Sequence, residues 1–229
     1  MRLGAWWQLG DVVVFGSGEL ARLVHLQLQA DSRHDVVAFT VDRVEARERT
    51  VAGLPLVELD ELVGLFPPGR TEVFVAVGYR RVNRARADVY DRVKALGYRL
   101  LTYVSPYAIV AAGVQLGDNC FVFEGVIVQH AARVGCDTIL RSGAVIGHDC
   151  AIGDHCFIAP SASISGNTVV GDFSFIGNNA TIRDGVMVAP RTVVGAGALI
   201  TRNTRPGEIY SPERTRAAEG RDSSELDDL

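Results

Sequence analysis

The sequence predicts an α/β, Rossmann-like N-terminal domain followed by a left-handed parallel β-helix of hexapeptide repeats. Three observations predict it. An aliphatic residue recurs at every sixth position from Val104 to Ile200, a small residue commonly stands four positions after it, and strand-like and helix-like segments alternate before Val104. The expected divisions are residues 11–103 for the first domain, 104–203 for the β-helix and 204–229 for a partly disordered C-terminal segment.

In the first domain, Val12 to Phe15 reads as a strand. The turn Gly16-Ser-Gly18-Glu-Leu-Ala21 leads into an apolar-periodic helix ending near Gln29. Val36 to Thr40 is a second strand, Leu59 to Leu65 a helix stopped by Pro67-Pro68, and Val73 to Val77 a third strand closing on Gly78. Arg81 to Leu96 is a charged amphipathic helix ended by Gly97, and Leu100 to Val104 enters the repeat. This order gives a parallel sheet of about four strands. A GxGxxA turn between strand and helix lets phosphate approach a helix N-terminus, and Asp42 falls where a ribose-binding acid sits. So short a sheet suits a mononucleotide better than a dinucleotide. A packing turn without ligand is the alternative.

The repeat runs Val104, Val110, Leu116, Val122, Val128, Val134, Leu140, Ile146, Ile152, Ile158, Ile164, Val170, Ile176, Ile182, Val188, Val194, Ile200. Val, Leu and Ile fill roughly a quarter of the chain, so such a run arises by chance on the order of 10⁻¹⁰. Neither a helical nor a two-residue period produces it. Each hexapeptide forms one side of a triangular prism, with the aliphatic residue inward and small residues such as Ala132, Ala144 and Ala162 easing the corner. Three hexapeptides make a coil, and coils stack at about 4.8 Å. Cys120, Cys150 and Cys156 take the small corner position and read as packing residues, as does Cys136 outside it.

With 229 residues, net charge −4, 48% apolar and 22% charged residues and no long basic run, nucleic acid and anionic membranes are not expected partners. No signal peptide is expected at the N-terminus and no segment reaches ~18 uninterrupted apolar residues, so the expected location is cytoplasmic.

Both halves together resemble the bacterial sugar acyltransferases that include sialic-acid O-acetyltransferases and nucleotide-linked amino-sugar N-acetyltransferases. The likeness spans residues 11–212. It rests on Phe15-Gly-Ser-Gly-Glu-Leu-Ala21, Phe39-Thr-Val-Asp-Arg43 and Val75-Ala-Val-Gly-Tyr79 in front. In the repeat it rests on Ile146-Gly-His-Asp-Cys150, Ile152-Gly-Asp-His-Cys-Phe-Ile158, Ile164-Ser-Gly-Asn167, Phe175-Ile-Gly-Asn-Asn-Ala-Thr-Ile182 and Gly195-Ala-Gly-Ala-Leu-Ile-Thr201. The resemblance implies a homotrimer, acetyl-CoA as co-substrate in a groove between neighbouring prisms, no metal, and a nucleotide-linked sugar held by the front domain. By it, His148 is the general base and Asp149 the acid that tunes it. Gly166 meets the acetyl carbonyl through its N–H, and Asn178 and Ala196 line the CoA groove. Gly18, Glu19, Leu20, Asp42, Gly78 and Arg81 contact the nucleotide. Phe157 stands where many relatives carry a histidine that contacts the thioester.

The chemistry is coherent with these residues. Acyl transfer to an amine needs the neutral amine, and a histidine near neutrality is a suitable base. A carboxylate on its second nitrogen fixes the tautomer, and a backbone N–H stabilises the oxyanion. The first expectation is N-transfer to a 4-amino-4,6-dideoxy sugar, with O-transfer to a hydroxyl the runner-up. Phe157 leaves a non-catalytic nucleotide-sugar-binding scaffold open. His130, His148 and His155 leave open a metalloenzyme like the γ-class carbonic anhydrases. His130, one coil before His148, is expected on the same edge, where it would lower the pKa of His148.

Overall fold

A computed structural model describes residues 10–31, 34–45 and 49–212. The expected disorder of the C-terminal segment beyond residue 212, and the reading of the first nine residues, lie outside the described residues.

The front domain comprises β1 (Asp11–Phe15), α1 (Glu19–Asp31), β2 (Asp35–Val41), β3 (Thr50–Val51), β4 (Leu54–Glu58), α2 (Leu59–Leu65), β5 (Thr71–Val75), α3 (Arg84–Ala95) and β6 (Arg99–Leu100). Its sheet has order β3-β4-β2-β1-β5-β6, parallel except for the β3–β4 hairpin. It thus holds six strands rather than four. The unforeseen hairpin turns at Ala52-Gly53, both with positive φ (51° and 82°), the backbone that a two-residue hairpin turn requires. The central strands β1 and β5 are hydrophobic on both faces, as helix-covered parallel strands must be. α3 starts at Arg84, not Arg81, because Arg81, Val82 and Asn83 adopt left-handed backbone (φ 54°, 52° and 64°).

From Tyr103 the chain winds into a three-sided parallel β-helix. A front-facing sheet of seven strands runs from Tyr103–Val104 to Ile209–Tyr210. A second sheet of six runs from Ile109–Val110 to Leu199–Ile200, and a third of five from Gln115–Leu116 to Met187–Val188. Successive coils pair in register 18 residues apart, as in Phe121↔Ile139 and Ile146↔Ile164. The predicted inward residues from Val122 to Ile200 are all buried, each contributing about 1.5–3 kcal/mol. At the corners, left-handed residues recur every six positions from Gly113 to Gly197. Asn119, Asp137, Asp149, His155, Asn167 and Asn179 are among them, the residue types that tolerate this backbone best.

Outward residues of the front-facing sheet, notably Phe121, Ile139 and Phe157, are buried under the front domain. Phe74 of β5 packs on Phe121 at 5.0 Å between ring centres. Among the described residues no helix is long and apolar enough to cross a membrane.

Candidate active site

His148 and Asp149 stand at the corner between Val145–Ile146 and Ala151–Ile152, on the edge joining the second and third sheets. Left-handed backbone at Asp149 (φ 57°) forms the corner, and the two side chains meet: His148 Nδ1 lies 2.9 Å from Asp149 Oδ2. With the carboxylate accepting, Nδ1 carries the proton and Nε2 the lone pair. The His148 N–H donates to Gln129 Oε1 (3.0 Å), fixing the corner on the coil below.

Gly166, one coil above, must be glycine. A Cβ there would fall 2.5 Å from His148 Nε2, so the imidazole lies against its Cα. The Gly166 N–H has no acceptor among the described residues, while its carbonyl accepts from Gly185 N–H (3.0 Å). His130 occupies the expected place one coil below His148, and its carbonyl accepts the Asp149 N–H at 3.1 Å.

A cleft of about 550 Å³ lies between the front domain and the prism. Gly18, Glu19 and Leu20 at the start of α1, and Gly78 after β5, line it as expected. Asp42 and Arg81 are not among its lining residues. Asp42 is instead held by Arg92 through two bonds (2.6 and 3.2 Å), and Arg81 stands 3.8 Å from Asp88. Both alternatives depend on α3, whose placement no local pattern reveals. The prism wall contributes Arg141 and Phe157, and the loop after β5 adds Tyr79 and Arg80. Phe157 stacks on Phe175 (5.7 Å) and meets Tyr79 edge-on (5.1 Å), an apolar aromatic wall. Arg80 and Arg141 escape sequence reasoning. The available signal for Arg141 is a cation in the first corner position after an inward Leu140, next to the aromatic outward row.

The expected site residues are divided among edges. His148 and Gly166 share the edge opposite the front-facing sheet. Asn178 and Ala196 lie with Arg141 and Ser142 on the edge between the front-facing and second sheets, beside the cleft. One chain therefore does not join the imidazole to the cleft. His148 and Asp149 are both 57% exposed. Exposed apolar residues flank their edge on both sides, Ile109 and Leu199 on the second sheet, Val169 and Met187 on the third.

His155 turns the remaining edge, apart from His130 and His148. Among the described residues no three His, Cys, Asp or Glu side chains are grouped to hold a metal. The His155 ring stacks on Phe173 (4.7 Å), and its Nδ1 lies 2.8 Å from Asp137 Oδ2. Asp137 is fully buried, and so is Arg86 of α3. Arg86 Nε approaches Asp137 Oδ1 to 3.0 Å as an ion pair, without the alignment of a hydrogen bond. Its Nη2 donates to the carbonyls of Asp137 (2.8 Å) and Cys156 (3.0 Å). Asn119 donates to Asp137 Oδ1 (2.6 Å) and accepts the Val75 N–H (2.8 Å). Asn83 donates to the Ser174 carbonyl (3.1 Å), which accounts for the delayed start of α3. This buried network fastens α3 and β5, and with them the Gly78–Arg80 wall of the cleft, to the prism.

The four cysteines are free thiols. Burial pushes Cys120 and Cys156 up to about 12, leaving them protonated packing residues.

The family model for bacterial transferase hexapeptide (six repeats) matches residues 131–166 and 167–202. No curated protein matches the sequence significantly. Among solved structures, a mutant of perosamine N-acetyltransferase from Caulobacter crescentus, in complex with CoA and GDP-perosamine, is 30% identical. The match covers 89% of this chain and 92% of that one, with a TM-score of 0.78. The acetyltransferase domain of PglB from Neisseria gonorrhoeae, in complex with acetyl coenzyme A, is 28% identical over 88% of this chain and 96% of that one (TM-score 0.80). WeeI from Acinetobacter baumannii, 20% identical over 87% and 95% of the two chains (TM-score 0.78), is alike in fold. Shared along both domains at this level of identity, the likeness is one of descent: the chain belongs to the bacterial sugar acyltransferases with hexapeptide repeats and a left-handed β-helix.

Proposed function

We propose that the chain is an acetyl-CoA-dependent N-acetyltransferase acting on a nucleotide-linked amino sugar, of the 4-amino-4,6-dideoxy class, and that it works as a homotrimer with His148 as general base. The observation that carries this reading is the His148–Asp149 pair with Nε2 against Gly166. An imidazole with a fixed tautomer and an open lone pair is equipped to take a proton from an amine. The ligands of the solved relatives, CoA and GDP-perosamine in one and acetyl coenzyme A in another, support the choice of substrates.

In this reading Nε2 takes the proton as the amine nitrogen bonds to the thioester carbonyl carbon. Asp149 stabilises the imidazolium, and the Gly166 N–H donates to the developing oxyanion. The carbon–sulfur bond then breaks, and the imidazolium returns the proton to the departing thiolate. The nucleotide lies in the cleft, with its phosphates at the start of α1 near Gly18, Glu19 and Leu20. Asn178 and Ala196 line the CoA groove beside it, where Phe157 supplies an apolar wall. Because His148 is opposite the cleft within a chain, the working site takes the imidazole of one copy and the cleft of the next. The exposed apolar residues flanking the His148 edge are the surface such a neighbour would cover. Asp42 and Arg81 have no direct part unless Arg92 and Asp88 release them.

Purified protein incubated with acetyl-CoA and a panel of nucleotide-linked sugars, read by mass spectrometry, tests the reading. The expected product is an amide on an amino sugar, with kcat reduced about 10²–10⁴-fold in His148→Ala. Acetylation confined to hydroxyl sugars would replace N- by O-transfer. No product across the panel, or undiminished turnover by His148→Ala, would end the proposal.

A further inference from the structure

The cleft holds a cation whose presence the fold does not explain. Arg141 follows the inward Leu140 at the first corner position and lines the cleft on the prism side. Its guanidinium lies over the Phe123 ring, 4.6 Å from the centre, and its Nε is buried with no hydrogen-bond partner. Glu124, whose field reaches it, is already engaged: one oxygen accepts from Gln27 Nε2 (2.8 Å) and the other from Ser142 Oγ (2.5 Å). Burying that Nε without an acceptor carries a cost in the fold. A methionine or leucine would cover Phe123 as well without that cost.

A guanidinium presents a planar fork of donors that matches phosphate and carboxylate oxygens, and it stacks readily on an aromatic face. Arg141 combines a stacked face with donors that no side chain or carbonyl of the described residues fills, in the cleft that the start of α1 also lines. We infer that Arg141 is a substrate-anchoring residue that binds an anionic oxygen group, phosphate or carboxylate, of the sugar nucleotide in the cleft. The inference rests on the proposed function for the identity of that ligand. Burial also pushes the guanidinium's pKa down, as expected where the counter-charge comes with the ligand.

Isothermal titration of the purified full chain separates the possibilities. The ligands are nucleosides, the matching nucleoside diphosphates, and nucleotide-linked sugars with and without a ring carboxylate. The variants are Arg141→Met, which keeps the apolar stem over Phe123, and Arg141→Lys, which keeps a charge. If the anion is the diphosphate, Arg141→Met weakens nucleoside diphosphate binding about ten-fold or more, Arg141→Lys restores part of it, and nucleoside affinity is unchanged. If it is a sugar carboxylate, the loss is confined to the carboxylate-bearing sugar nucleotides. Either result supports the assignment. Wild-type affinity for every ligand in Arg141→Met, or an equal loss for nucleoside and diphosphate, overturns it and leaves the proposed function standing. Binding that depends on Arg141 in a protein that acetylates no sugar on the panel has the opposite meaning: the anchor stands and the proposed activity falls.

Discussion

At the scale of single residues, the site depends on what is missing as much as on what is present. Gly166 lacks a side chain because the His148 ring fills the space, with Nε2 2.5 Å from where a Cβ would be. Gly166→Ala must therefore push the imidazole aside. A misplacement of about 1 Å can cost around 10²-fold in rate, so kcat is expected to fall by that order. The edge is exposed and lies outside the packed interior, so the thermal midpoint should stay near that of the unmodified protein. Steady-state kinetics beside a melting curve checks both. Asp149→Asn keeps the corner's left-handed backbone available but lets the ring adopt the other tautomer. A loss in kcat of about 10²-fold or more is expected, with little change in KM. The roles expected of His148, Asp149 and Gly166 come from the resemblance, each lying in a local motif, while the contact between the His148 and Asp149 side chains is seen in the structure. Arg141 is not legible in the sequence, because its meaning comes from a cleft wall formed by residues more than fifty positions away, such as Gly78 and Glu19.

Among the elements, α3 carries the buried ion pair between the domains. Its buried Arg86 meets Asp137, Cys156 and Asn83 from three parts of the chain. Arg86→Met leaves Asp137 buried without its counter-charge and should cost about 3–5 kcal/mol, read from the denaturant midpoint. A loss below about 1 kcal/mol would show that the Arg86–Asp137 pair adds little to the joint. In α1, His25 is buried edge-on against Phe39 (5.6 Å), and burial lowers its pKa below 6.5. The unfolded chain then binds the proton more readily than the folded one. His25 thus contributes stability above about pH 6.5 that is lost as pH falls through its lowered folded value. His25→Leu should flatten that part of a stability-versus-pH curve measured by chemical denaturation.

These elements also mark the limits of sequence reading. The hexad run identifies the inward aliphatic residues from Val122 to Ile200, since a strict period leaves one face of each strand to the interior. The start of α3 escapes it because Asn83 is held by Ser174, ninety-one residues away. The β3–β4 hairpin is a different case, because its signal is local: Ala52-Gly53 is a short turn between apolar residues, yet strands of two and five residues carry too little alternation to stand out. The position of Asp42 after β2 suggests a ribose contact, but Arg92 of α3 engages it.

At the scale of the whole molecule, the decisive feature is that the imidazole and the cleft lie on different edges of the prism. The imidazole is on the edge opposite the sheet that carries the cleft, so on the proposed reading each copy supplies half of two different sites. Activity should then fall with dilution below the dissociation constant of the assembly, and sedimentation should give three copies per particle. Mixed assemblies are more direct. In His148→Ala the cleft is intact; in Gly18→Glu the imidazole is intact while a carboxylate enters the cleft at a position with open space for a side chain. Each variant alone should turn over at least about 10²-fold more slowly than the unmodified protein. Co-expressed in equal amounts, they should recover about a quarter of wild-type turnover, because a quarter of the interfaces in a closed ring join two intact halves. Turnover that stays at the level of the separate variants, in mixed assemblies verified by mass, would mean that one chain completes its own site, and would contradict a reaction centre shared between copies.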